Sequence, residues 1–131
     1  MNNINLIKTE NLVPHKGQKS FYGRAKVKTY SVGTSVVEVL ISYETAVAAH
    51  VSANGTSRMF RLYDESFFEG EIEGWNHKEF YGYSATTGNH LAAFHARHGK
   101  DWNGKAAWCK IEPIALDEVF ALAAKFSRKT A

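Results

Sequence analysis

Between residues 22 and 63 the chain holds four strand-like runs separated by three turn-forming pairs. In 22–30, Arg24, Lys26 and Lys28 alternate with Ala25, Val27 and Thr29. Period two with β-branched residues predicts a strand with one wet, basic face. Val32-Gly33 reads as a turn. The run 36–43 carries Val37, Val39, Ile41 and Tyr43 in one stripe and Val36, Glu38 and Leu40 in the other. A strand apolar on both sides belongs in the middle of a sheet. Glu44-Thr45 suits a tight connection into 46–52. Asn54-Gly55 then suits a type I′ hairpin, whose two central residues both need positive φ. In the fourth run, 56–63, Phe60 and Leu62 alternate with Met59 and Arg61. Such short connections pair neighbours antiparallel, so 22–63 is predicted to be a four-stranded meander.

The flanks read differently. Residues 1–20 are polar and weakly periodic, with Pro14 and Gly17, and suggest an extended arm or loop. Residues 64–83 combine acids, aromatics and glycines, and a further short strand near 78–83 would fit. Ser84 to Thr87 offer hydroxyl caps for a helix reaching Arg97, which Gly99 would end. Its apolar residues are Leu91 and Phe94. Residues 106–111 read as a short strand or extended segment. Pro113 then opens a helix to about Arg128, with Leu116, Val119, Phe120, Ala123 and Phe126 at helical spacing. Asp117 and Glu118 in its first turn, with Lys125 and Arg128 in its last, complement the helix dipole. The expected fold is α+β in a single domain, 1–131: a four- to five-stranded antiparallel meander with two helices packed on one face.

Composition narrows the function. At 131 residues and 44% hydrophobic, the chain can bury a core without staples. Its single cysteine, Cys109, excludes an internal disulfide and a four-cysteine zinc site. No apolar run approaches a membrane span or a signal-peptide core, so a cytoplasmic protein with no membrane contact is expected. The net charge is +3, unevenly spread. Residues 1–63 carry +5 and residues 64–131 carry −2, with acids concentrated at Asp64, Glu65, Glu69, Glu71, Glu73 and Glu79. That balance argues against DNA mimicry, which needs a strongly acidic surface.

Two surfaces stand out as candidate sites. Arg24, Lys26 and Lys28 share the parity of Tyr22 and Tyr30, so two rings bracket three cations. Sheets that bind single-stranded nucleic acid use that mixture; a solvated edge strand protected by lysines would look the same. The second surface is the acidic-aromatic segment, with Phe67, Phe68, Glu71, Glu73 and Trp75. Acids beside aromatics repel phosphate and suit a protein partner; the same rings could equally complete the core.

Catalytic and metal signals are thin. His95 and His98 could share a helix face, but His90 lies about 140° from His95 at ~100° per residue. A three-histidine site on one helix is therefore poor geometry, and no metal or other cofactor is expected. Cys109, within an alternating run, reads as a small buried hydrophobe. There is no Gly-x-Ser-x-Gly elbow and no phosphate-binding glycine loop.

Two stretches carry a resemblance: Ser42-Tyr43-Glu44-Thr45-Ala46-Val47-Ala48 and Gly82-Tyr83-Ser84-Ala85-Thr86-Thr87-Gly88-Asn89-His90. They resemble a family of small uncharacterised bacteriophage proteins with an S-Y-N-T-x-V/I-A hairpin and a Y-S-x-T-T-x-x-H helix start. The resemblance spans about 36–98. Glu44 stands where that family has Asn, and the segment between the motifs is longer and more acidic. The family has no established activity, so no catalytic residue is carried over. The resemblance implies a small accessory protein of a phage or mobile element. The expected function is accordingly non-catalytic: binding a host protein, in host takeover or anti-defence. The alternative is nucleic-acid binding through the basic strand.

Overall fold

A computed structural model describes residues 4–14, 21, 23–63, 85–108 and 110–128. Five antiparallel strands follow one another across a sheet: β1 (Ile4–Asn11), β2 (Ala25–Val32), β3 (Ser35–Ser42), β4 (Thr45–Ala53) and β5 (Thr56–Tyr63). A two-residue strand, β6 (Ile114–Ala115), adds parallel to β5. Helix α1 (Ala85–Arg97) follows β5 in the described chain, the short helix α2 (Lys105–Trp108) precedes β6, and α3 (Leu116–Arg128) follows it.

Turn chemistry sets the hairpins. Asn54 and Gly55 have φ of 56° and 78°, the two positive values a type I′ turn requires. The β3–β4 turn is built the same way, on Tyr43 (φ 51°) and Glu44 (φ 75°), one residue earlier than the sequence suggested. Gly33 (φ 60°) opens the β2–β3 turn, where a Cβ would run into the Ser127 side chain. Helix α1 stops as the sequence implies. Gly99 is left-handed, its N–H donates to the Ala96 carbonyl, and the Lys100 N–H donates to the His95 carbonyl, the Schellman arrangement.

The helices lie on opposite faces of the sheet, not on one. Ser35, on the face of Val37 and Val39, donates its hydroxyl to the Ala123 carbonyl of α3 at 2.7 Å. Ser42, on the other face with Leu40, bonds His90 of α1. The physical reason is the two-sided apolar character of β3. Val37 and Val39 are buried with Val32, Val51, Phe60, Val119 and Ala123. Leu40 is buried with Val27, Ala48, Leu91, Phe94 and Trp108. One helix cannot cover both stripes, so each face takes its own, giving three layers. Fully burying Phe94 and Leu91 stabilises the α1 layer by ~2–3 kcal/mol each.

Two further expectations are corrected. Residues 4–11 form a strand rather than an arm. Both faces of β1 remain largely wet, so it carries no burial period, and its backbone pairs with β2 from Ile4↔Val32 to Asn11↔Lys26. Residues 105–108 form a helical turn in place of a strand, which brings Trp108 into the α1 core. The strand expected near 78–83 lies outside the described residues.

Candidate interaction site

β1 is the outermost strand of the sheet and has no second strand neighbour among the described residues. Its register with β2 slips between Leu6 and Lys8, making Ile7 the extra residue of a bulge. Ile4 and Leu6 pair opposite Val32 and Tyr30, which places them on the α3 face. Helix α3 packs chiefly over β3 and β4, so it leaves this margin uncovered. Ile4, Leu6 and Ile7 are 49%, 55% and 57% exposed. Beside them the Tyr30 ring stands edge-on to Phe120 at 5.0 Å. The result is a half-exposed apolar margin along an edge whose outward N–H and C=O groups meet no other strand among the described residues.

The same face turns basic toward the other end of β1. Lys28 pairs opposite Thr9 and Lys26 opposite Asn11. Lys26 is exposed and Lys28 half-buried. The predicted basic strand is thus only partly assembled. Arg24 lies just before β2, with its guanidinium 5.8 Å above the Tyr43 ring. Tyr30 is committed to Phe120, and Tyr22 lies outside the described residues. β2 is also an interior strand, paired on both sides, and not the protected edge considered from sequence.

The opposite face carries a charged cluster that sequence reasoning missed. Arg97, in the last turn of α1, donates from Nε to Glu38 Oε1 at 2.7 Å and from Nη2 to Glu10. His98 Nε2 sits 3.1 Å from Glu38 Oε1. The His98 ring stacks on His50 of β4, 3.6 Å apart and 11° from parallel. Glu10, Glu38, His50, Arg97 and His98 therefore tie β1, β3 and β4 to the end of α1. Burial opposes the charge on Glu38, yet contacts with His98 and Arg97 outweigh it and hold the carboxyl at about 2. Burial, helped by the charges of His98 and Lys100, lowers His50 to about 4, so its ring is neutral at neutral pH. The Arg97 bond lowers Glu10 as well. Helix spacing hid this cluster because its members come from four separate elements. The one local hint was Glu38, the only charged residue in β3 and flanked by Val37 and Val39.

Chemically, the described residues offer no reachable nucleophile in these clusters. Ser42 Oγ is 2.8 Å from His90 Nδ1, a spacing that suits a serine–base pair. Ser42 is nevertheless 3% exposed and His90 fully buried, and Ser42 Oγ also lies 3.0 Å from Thr87 Oγ1. This trio fastens α1 to β3. His95 donates from Nδ1 to the Leu91 carbonyl at 2.7 Å and packs against Trp102 and Trp108. Burial lowers both His90 and His95. Among the described residues, no group of three His, Cys, Asp or Glu side chains is placed to hold a metal ion. No described helix is long and apolar enough to cross a membrane.

Phe67, Phe68, Glu71, Glu73 and Trp75, the acidic-aromatic candidates, lie outside the described residues, as does Cys109. The described residues form a three-layer α+β fold in which β1 has no second strand neighbour and a half-apolar margin. Comparison with protein-family models, curated proteins and solved structures returns no match to the chain.

Proposed function

We propose that this chain is a non-catalytic accessory protein that binds another protein, and that it does so through the outer edge of β1. The observation that carries this reading is the eight-residue edge strand with Ile4, Leu6 and Ile7 about half exposed. An edge strand is a template for a further strand. Strand addition supplies affinity through main-chain hydrogen bonds and specificity through alternate side chains. The resemblance to small phage proteins makes a host protein the natural class of partner, in host takeover or anti-defence. Nucleic-acid binding has weaker support, because only Lys26 and Lys28 of the expected basic set stand on one described strand face with no ring or acid among the described residues engaging them.

The double substitution Ile4→Asp/Leu6→Asp tests the proposal. Both side chains are half exposed, so folding should cost ~1 kcal/mol or less. The wild-type chain should capture a specific protein from nuclease-treated bacterial lysate, and the double variant should lose it while melting nearly unchanged. Capture that survives both aspartates, or that disappears with nuclease alone, would refute edge binding.

A further inference from the structure

We infer that the segment taken up by β1 is an extended peptide, antiparallel to it, with acidic residues in its N-terminal half and apolar residues in its C-terminal half. This rests on the edge-binding reading and names the chemistry of its partner. The bulge keeps Ile4, Leu6, Thr9 and Asn11 all on the α3 face, since they pair with Val32, Tyr30, Lys28 and Lys26 in turn. Along that face the margin therefore changes character once. It is apolar at Ile4 and Leu6, with Tyr30 and Phe120 behind. It is basic at Thr9 and Asn11, with Lys28 and Lys26 behind. A strand added outside β1 lies ~5 Å from it and ~10 Å from β2, a gap that a lysine and a glutamate side chain span together. The five long strands of the sheet all pair antiparallel, the slightly more stable mode per residue, and an antiparallel newcomer meets the basic end first and the apolar end last.

A second copy of this chain fits poorly. Pairing two β1 strands over their full length about a two-fold axis sets Ile4 against Asn11 and Leu6 against Thr9, apolar against polar. Setting Ile4 against Leu6 leaves only Ile4–Leu6 of β1 paired. Nor does β1 offer an acid to the partner copy's lysines on this face. Its one carboxylate, Glu10, lies on the other face and is engaged by Arg97 and Lys8.

Fluorescence anisotropy with the full chain tests the inference. The probe is a labelled peptide of alternating threonines, with glutamates between them in its N-terminal half and valines in its C-terminal half. The comparison peptide has lysines for the glutamates. Wild type should bind the glutamate peptide about tenfold or more tightly than the lysine peptide, and Lys26→Glu/Lys28→Glu should invert that preference, as like charges at an interface repel. Equal binding of both peptides, lost in Ile4→Asp/Leu6→Asp, would overturn the charge inference and leave edge binding standing. Binding of neither peptide would also reject the inference, leaving edge binding to the lysate capture. A sedimenting dimer abolished by the two aspartates would assign the edge to a second copy, and the inference would fail.

Discussion

His50→Gln should flatten the acid limb of this protein's stability curve. The His50 side chain is 5% exposed, stacked on His98 and faced by Lys100, Glu38 and His95. Its folded-state pKa falls from an ordinary 6.5 to about 4. The unfolded chain therefore takes up a proton below 6.5 that the folded chain refuses until about 4. Stability from this group is complete above 6.5, declines as pH falls through that window, and is exhausted below about 4. The full interval corresponds to ~3 kcal/mol at 1.36 kcal/mol per pKa unit, and partial solvation of the cluster brings the expected loss to ~2–3 kcal/mol. Glu38 acts in a lower window. Its carboxyl, held at about 2 against an ordinary 4.5, gives up its contribution only as pH falls below 4.5. Urea titrations at about pH 7.5, 6, 5 and 4.5 would separate the two. Wild type should lose most of the ~2–3 kcal/mol by about pH 4.5, and His50→Gln should lose clearly less. The residual slope belongs to His90 and His95, which burial lowers in the same direction. A variant that loses as much stability as wild type over this range would refute the assignment of the acid limb to the stacked ring.

Two further substitutions probe the frame around the site. Glu44→Asn should stabilise the chain by ~0.5–1 kcal/mol and raise its melting temperature by a few degrees, because Glu44 holds a φ of 75° that asparagine tolerates better; a lower melting temperature would show that the turn is not strained there. His90→Ala should cost ~2–4 kcal/mol in chemical denaturation, since it empties a fully buried site and strips Ser42 of its ring partner; an unchanged midpoint would contradict a fastening role.

What the sequence alone determined was local. Asn54-Gly55 dictates its hairpin because the turn needs two residues that accept positive φ. Gly99 ends α1 for the same stereochemical reason. The 3.6-residue spacing of Leu116, Val119, Phe120 and Ala123 marks α3, and Val119 and Ala123 are fully buried in the fold. The double apolar stripe of 36–43 marks β3 as an interior strand. That same stripe also held the information that two faces needed covering, but a strand's alternation does not say which helix covers which face. Only the tertiary structure decided that, and with it everything that depends on face. It set α1 over Glu38 and His50, so that Arg97 and His98 converge on them from a distant part of the chain. It paired β1, whose wet faces leave no hydrophobic period to read, because its bonds to β2 are made by backbone groups that every residue carries. And it turned Lys26 and Lys28 from a solvated strand face into the basic end of an apolar margin, since the meaning of a side chain's parity is fixed by what packs on that side of the sheet.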